Sequence, residues 1–79
     1  MDRTELISRL TLIFRKVFNN ESLALTDSMT ANDVDQWDSL SHMILITEIE
    51  NAFSIKFRLK ELNKMKNVGD MTEMIMSKL

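Results

Sequence analysis

Leu6, Ile7, Leu10, Ile13, Phe14 and Val17 recur with the period of an α-helix and fall on one of its faces. A chain that opens this way must bury that face against other elements. The spacing predicts a helix over residues 2–18, begun by Asp2 with Glu5 three positions on, a capping-box-like start. Leu12 lies off the stripe and is left either exposed or part of a contact surface. "NNES" at 19–22 ends the helix with residues that favour turns.

The partner elements must also be helical. Zero Pro and one Gly argue against a loop-rich or all-β chain. At 79 residues the chain cannot divide into two self-sufficient cores, so residues 1–79 are read as one domain. With no Cys there is no disulfide or thiolate metal site, and stability must come from helix packing. "MDRTELISRLTLIF" mixes acids and bases and lacks the features of a signal peptide. No window approaches the ~18 uninterrupted apolar residues of a membrane span. The expectation is a soluble, cytoplasmic protein, monomeric in the plainest case.

Residues 19–38 show no sustained period, and a connection of that length is usually functional or locally ordered. Leu23, Leu25, Met29, Val34 and Trp37 punctuate it and are expected to pin it to the bundle, with a helical turn near Ala31 to Asp33. A second helix is predicted over residues 39–53, capped by Asp38. Its apolar face is assigned to Leu40, Met43, Ile46, Ile49 and Phe53, widened by Ile44 and Leu45. A short element follows around residues 59–63. A last helix begins at the Asn67 cap and turns Val68, Met71, Ile75 and Leu79 inward. The fold class is therefore all-α, with a long loop after the first helix and a short third helix.

Charge is segregated. Between Val17 and Ile55 there is no base but seven acids, Glu21, Asp27, Asp33, Asp35, Asp38, Glu48 and Glu50. Such a stretch can steer a basic partner toward the middle of the chain, or be no more than a solvated acidic loop.

Candidate chemistry narrows quickly. "DVDQWD" spaces aspartates like the start of a calcium loop, but Asp38 stands where the loop glycine is needed and Ile44 where the bidentate glutamate is. Chance spacing explains it better, and one histidine without cysteine makes zinc less plausible still. Ser39 and His42 would be neighbours on one helix face, yet a nucleophile also needs an oriented base, an oxyanion hole and a pocket. His42 is read as a surface residue beside the serine. "KFRLKELNKMK" is basic but is interrupted by Glu61 and offers only Phe57 for stacking, so nucleic acid is not the expected partner. Met43, Met71, Met74 and Met76 could form a soft interior, either as ordinary filling or as a core that parts to admit an acyl chain.

Ser39 remains. A serine at a helix start is ordinarily a cap, but Asp38 already suits that role and leaves the hydroxyl free. A phosphate ester on that hydroxyl would sit against the positive end of the helix dipole. The residues permit such an ester without requiring it.

The stretch "WDSLSHMILITEIENAFSIKF" resembles the prosthetic-group region of acyl carrier proteins, four-helix carriers with an Asp-Ser-Leu motif opening helix II. The resemblance spans essentially the whole chain, including "LTDSMT" in the long loop and "NVGDM" at the last helix. It implies that Ser39 receives 4'-phosphopantetheine from coenzyme A through a separate magnesium-dependent phosphopantetheinyl transferase, with Asp38 and Leu40 flanking the attachment point. The arm's thiol would carry an acyl group as a thioester to acyl-loading and acyl-transferring enzymes, and the carrier itself would catalyse nothing. Trp37, His42, Met43, Ile44 and Glu48 are the expected partner-binding residues.

Departures from the family pattern are also visible. Helix II has only Glu48 and Glu50 as acids, with Ile44 at a position commonly acidic. Arg58, Lys60 and Lys64 make the third element basic, and Ser54 stands where many relatives have Gly. These differences point away from the common fatty-acid carriers and toward free-standing carriers of secondary-metabolite or surface-polysaccharide pathways. An aminoacyl or peptidyl carrier is the nearest alternative, and an unmodified helical adaptor is another.

Overall fold

The computed structural model describes all 79 residues as four α-helices without strands. In chain order these are α1 (Arg3–Val17), α2 (Ser39–Phe53), α3 (Leu59–Leu62) and α4 (Val68–Lys78), with a 3₁₀ turn at Ala31–Asp33 inside the long α1–α2 loop. The Asp2 carboxylate accepts the Glu5 N–H at 2.8 Å and so satisfies one of the free amides at the start of α1. Glu5 itself turns away toward Arg9 at 3.4 Å.

Leu6, Leu10 and Phe14 are fully buried, and Phe18, just past the helix, extends their line. They meet Leu45, Ile46, Ile49 and Phe53 of α2 and Val68, Met71 and Ile75 of α4 in one core. Ile13 and Val17 pack on its edge and Leu12 is exposed, while Ile7, expected on the buried face, is only half-buried and stands outside the core because Leu6, Leu10 and Phe14 centre that face.

The buried positions of α2 correct the expected face. Leu45, Ile46, Ile49 and Phe53 follow the i, i+1, i+4, i+8 spacing of one side, which leaves Leu40, Met43 and Ile44 on the other. Those three are 74%, 52% and 49% exposed. The helix is apolar nearly all round, so periodicity alone could not choose between its faces. Leu79 is likewise outside the core, 52% exposed beyond the end of α4. Among the methionines, Met71 is core, Met74 and Met76 are packed against it, Met65 joins it from the α3–α4 connection, and Met43 is exposed.

The long loop is held down as expected. Val34 and Trp37 are buried, and Leu23, Leu25 and Met29 lie against the core. The loop also supplies hydrogen bonds. Arg15 Nε donates to the Leu23 carbonyl at 2.8 Å, and the first amides of α4, those of Val68 and Gly69, donate to Met29 O and Asp27 O at 2.9 Å each. Amides at a helix start have no partner inside the helix, so these two bonds fasten loop and helix together. Close approach is why residue 69 is glycine: a Cβ there would lie 3.1 Å from Asp27 O and 3.2 Å from Asp27 Cβ.

Two other termini use side chains. The Asn67 side chain accepts from Asp70 N–H at 2.7 Å, as its cap position predicts. The short α3 is clasped by Glu61, whose carboxylate accepts from Arg58 N–H at 2.7 Å and pairs with Lys78 of α4 at 2.9 Å. These bonds, the Arg58 amide first, hold the Glu61 carboxyl below its ordinary value. Thr72, the one buried polar residue, donates its hydroxyl to Val68 O at 2.8 Å.

α2 ends in a Schellman pattern. Ser54 takes the left-handed conformation (φ 55°, ψ 46°), and the next amide, of buried Ile55, donates back to Glu50 O at 3.1 Å. A Cβ is disfavoured at such a backbone position, which suits Gly better than Ser.

Candidate functional site

The start of α2 is built around Trp37. Its indole meets Phe14 edge-on at 5.3 Å and Phe18 at 5.8 Å, a three-ring cluster that ties the end of the long loop to α1. At 8% exposure Trp37 is a core residue, packed against Phe14 and Phe18, with only a small part of its surface left for the partner contact expected of it.

Asp38 and Ser41 form a reciprocal capping box. The Asp38 carboxylate accepts the Ser41 N–H at 2.9 Å, and the Ser41 hydroxyl oxygen accepts the Asp38 N–H at 2.8 Å while donating to Gln36 O at 2.7 Å. The Ser41 amide is the main reason the Asp38 carboxyl sits below its ordinary value. Ser41 was not singled out from the sequence, although Asp-x-x-Ser is a recognisable, weak box signal.

With Asp38 and Ser41 occupied by each other, Ser39 is the remaining polar side chain at the helix mouth. It is exposed and its hydroxyl makes no hydrogen bond within the protein. It opens onto a groove of about 530 Å³ that also touches Trp37, His42, Met43, Met65 and Lys66. Met65 and Lys66 come from the α3–α4 connection, and no local sequence signal places them opposite residues so distant in the chain.

His42 is not the surface residue expected beside the serine. It is half-buried, its ring stacked on Trp37 at an interplanar angle of 19°, and its Nδ1 accepts the Trp37 Nε1–H at 3.0 Å. Burial holds its pKa below the ordinary histidine value. With Nδ1 accepting, the neutral ring carries its proton on Nε2. The nitrogen left free is therefore a donor, and it cannot serve as a base toward Ser39.

Leu40, Met43 and Ile44 form an exposed apolar strip running down α2 from Ser39, ending in a shallow hollow of about 250 Å³ shared with Thr47 and Glu48. Glu48 is tied to Lys16 of α1 at 3.1 Å. Other acids of the base-free stretch have internal duties too: Asp27 pairs with Arg3, Asp33 accepts the Thr30 N–H, and Glu50 accepts the Phe57 N–H. Only Asp27 and Glu48 of the seven face a cation, so the sequence count overstates the charge available to steer a partner by those two, while Asp33 and Glu50 keep their charge.

No protein-family model matches the chain, and no curated protein sequence does. Among solved structures, the chain is similar to the solution NMR structure of a holo acyl carrier protein from Geobacter metallireducens. The two are 51% identical, the match covers 91% of this chain and 83% of that one, and the TM-score is 0.87.

Proposed function

The chain belongs to the acyl carrier protein family, and from that premise we propose that Ser39 is the residue to which 4'-phosphopantetheine is attached. The observation that carries the reading is the free Ser39 hydroxyl at the mouth of α2, beside a capping box that has claimed both neighbouring polar side chains. The surroundings fit the group. A phosphodiester on Ser39 meets the positive end of α2, Lys66 brings a cation into the same groove, and Trp37, Met43 and Met65 give apolar contact for the carbon part of an arm. When bound, the arm supplies a thiol that holds an acyl group as a thioester.

The chain's own residues present and orient; they do not catalyse. The capping box fixes the direction in which α2 leaves the loop, and the Trp37 cluster fixes where that box stands. A separate phosphopantetheinyl transferase must activate the Ser39 hydroxyl, since His42 offers a hydrogen-bond donor rather than a base.

The strip Leu40, Met43 and Ile44 is the proposed contact with partner enzymes, with Asp38 and Leu40 flanking the attachment point. Those partners belong to a specialised biosynthetic pathway in this reading. It is supported by the apolar Ile44 at a position commonly acidic in the family and by the basic α3, with exposed Arg58, Lys60 and Lys64 on and beside it. Incubation with a fluorescent coenzyme A analogue, magnesium and a broad-specificity transferase tests the attachment. Native protein gains the label and Ser39→Ala, folded by circular dichroism, gains none. A Ser39→Ala protein labelled as fully as the native one refutes the assignment. A native protein that refuses the label with transferases of several specificities favours the unmodified adaptor.

A further inference from the structure

Resting on the attachment reading, we infer that His42 is the positioning donor for the arm, its Nε2–H directed to the phosphodiester on Ser39. Three observations converge. His42 stands three residues after Ser39 on one helix face, where side chains on successive turns are neighbours. Both side chains line the same groove. The Trp37 Nε1–H bond to Nδ1, at 3.0 Å, leaves Nε2 as the only ring nitrogen open and makes it the donor. That nitrogen has no partner within the protein, and no buried side-chain nitrogen or oxygen is left unsatisfied, so Nε2 is open to solvent rather than closed in the core.

A donor fixed in direction by a buried indole suits an anion that must be held in one place. A phosphodiester keeps one negative charge across the physiological range and offers two free oxygens, each a strong acceptor. Lys66, from the connection before α4, lines the other wall and balances the charge. The charged groups around His42 in the groove are Lys66 and the Asp38 carboxylate, and the latter is held toward Ser41. On the other side of Trp37, Phe14 and Phe18 bring no charge. The loop tryptophan thus acts through the histidine: Trp37 sets the tautomer, and His42 restrains the first bonds of the arm so that it leaves the protein along the groove.

His42 is the only histidine, so its titration can be followed without ambiguity by NMR. The protein is prepared unloaded and loaded, with loading verified by intact mass. The histidine ring protons and the ³¹P resonance are then followed against pH. A phosphodiester beside the ring favours the imidazolium, so the His42 midpoint moves upward on loading, and the ³¹P shift changes through that same midpoint. In His42→Gln the ³¹P shift loses that step and its line narrows as the phosphate gains freedom. Trp37→Phe, which keeps a ring but removes the donor to Nδ1, raises the His42 midpoint in both forms. Loaded protein whose histidine midpoint is unchanged, with a ³¹P line indifferent to His42→Gln, overturns the inference while leaving attachment intact. Failure of the mass to rise at all overturns the attachment reading, and this inference falls with it.

Discussion

Replacing Ser54 with Gly should stabilise the protein, and the structure supplies the size of the effect. Ser54 holds φ 55° and ψ 46° at the end of α2, where its Cβ crowds the backbone. Left-handed backbone costs an L-residue roughly 1–2 kcal/mol, a penalty that glycine escapes. Glycine also loosens the unfolded chain, which takes back roughly 0.4–1 kcal/mol. The exposed Ser54 side chain makes no hydrogen bond that would be lost, so the net gain is about 0.5–1 kcal/mol. For a domain of this size that raises Tm by roughly 2–8 °C. Thermal unfolding followed by circular dichroism measures it, with Ser54→Ala as the control that keeps the Cβ. An unchanged or lower Tm in Ser54→Gly, or an equal rise in Ser54→Ala, would show that the Schellman turn carries no strain and would refute the reasoning.

Gly69→Ala should act in the opposite direction although alanine is the better helix former. The new methyl meets a loop carbonyl held by the Gly69 amide, and overpacking of about 1–3 kcal/mol outweighs the roughly 1 kcal/mol of helix propensity gained. Urea unfolding checks this, and a higher midpoint in the variant would show that the loop yields. Stability should also fall as the solution is acidified below about pH 6.5. His42 is held below its ordinary value, so the unfolded chain takes up its proton first. The loss begins at the unfolded histidine's pKa and stops once the folded one is passed. Urea midpoints between about pH 8 and pH 5 report it, and the slope across that window should shrink in His42→Gln. A slope of the same size in that variant assigns the effect to other groups.

Local rules carried well where the side chain and its consequence lie close in sequence. The caps at Asp2, Asp38 and Asn67 and the Leu6, Leu10 and Phe14 line of α1 follow from spacing of three or four residues, although Ile7 of the same stripe stays outside the core. α2 shows where this reasoning stops. Its residues are apolar on both sides, so the choice between Leu40, Met43 and Ile44 outside and Leu45, Ile46 and Ile49 inside is made by α1 and α4. The candidate site divides in the same way. The free hydroxyl of Ser39 is legible from the Asp38 cap, whereas its reading as an attachment point comes from the resemblance around Asp38, Ser39 and Leu40. The tautomer of His42 depends on Trp37 folding back over the helix start, and Lys66 reaches the groove only through the packing of the α3–α4 connection.

Intact-protein mass spectrometry with peptide mapping tests the central claim most directly, after incubation with coenzyme A, magnesium and a broad-specificity transferase. Mapping matters because the chain has seven serines, and Ser41 lies two residues from the proposed attachment point. Ser41 is committed to Asp38 and Gln36, whereas Ser39 is free. The account predicts one 4'-phosphopantetheine per chain, all of it on Ser39, and none on Ser39→Ala. Modification mapped to Ser41 or any other serine, or loading that persists in folded Ser39→Ala, would contradict it.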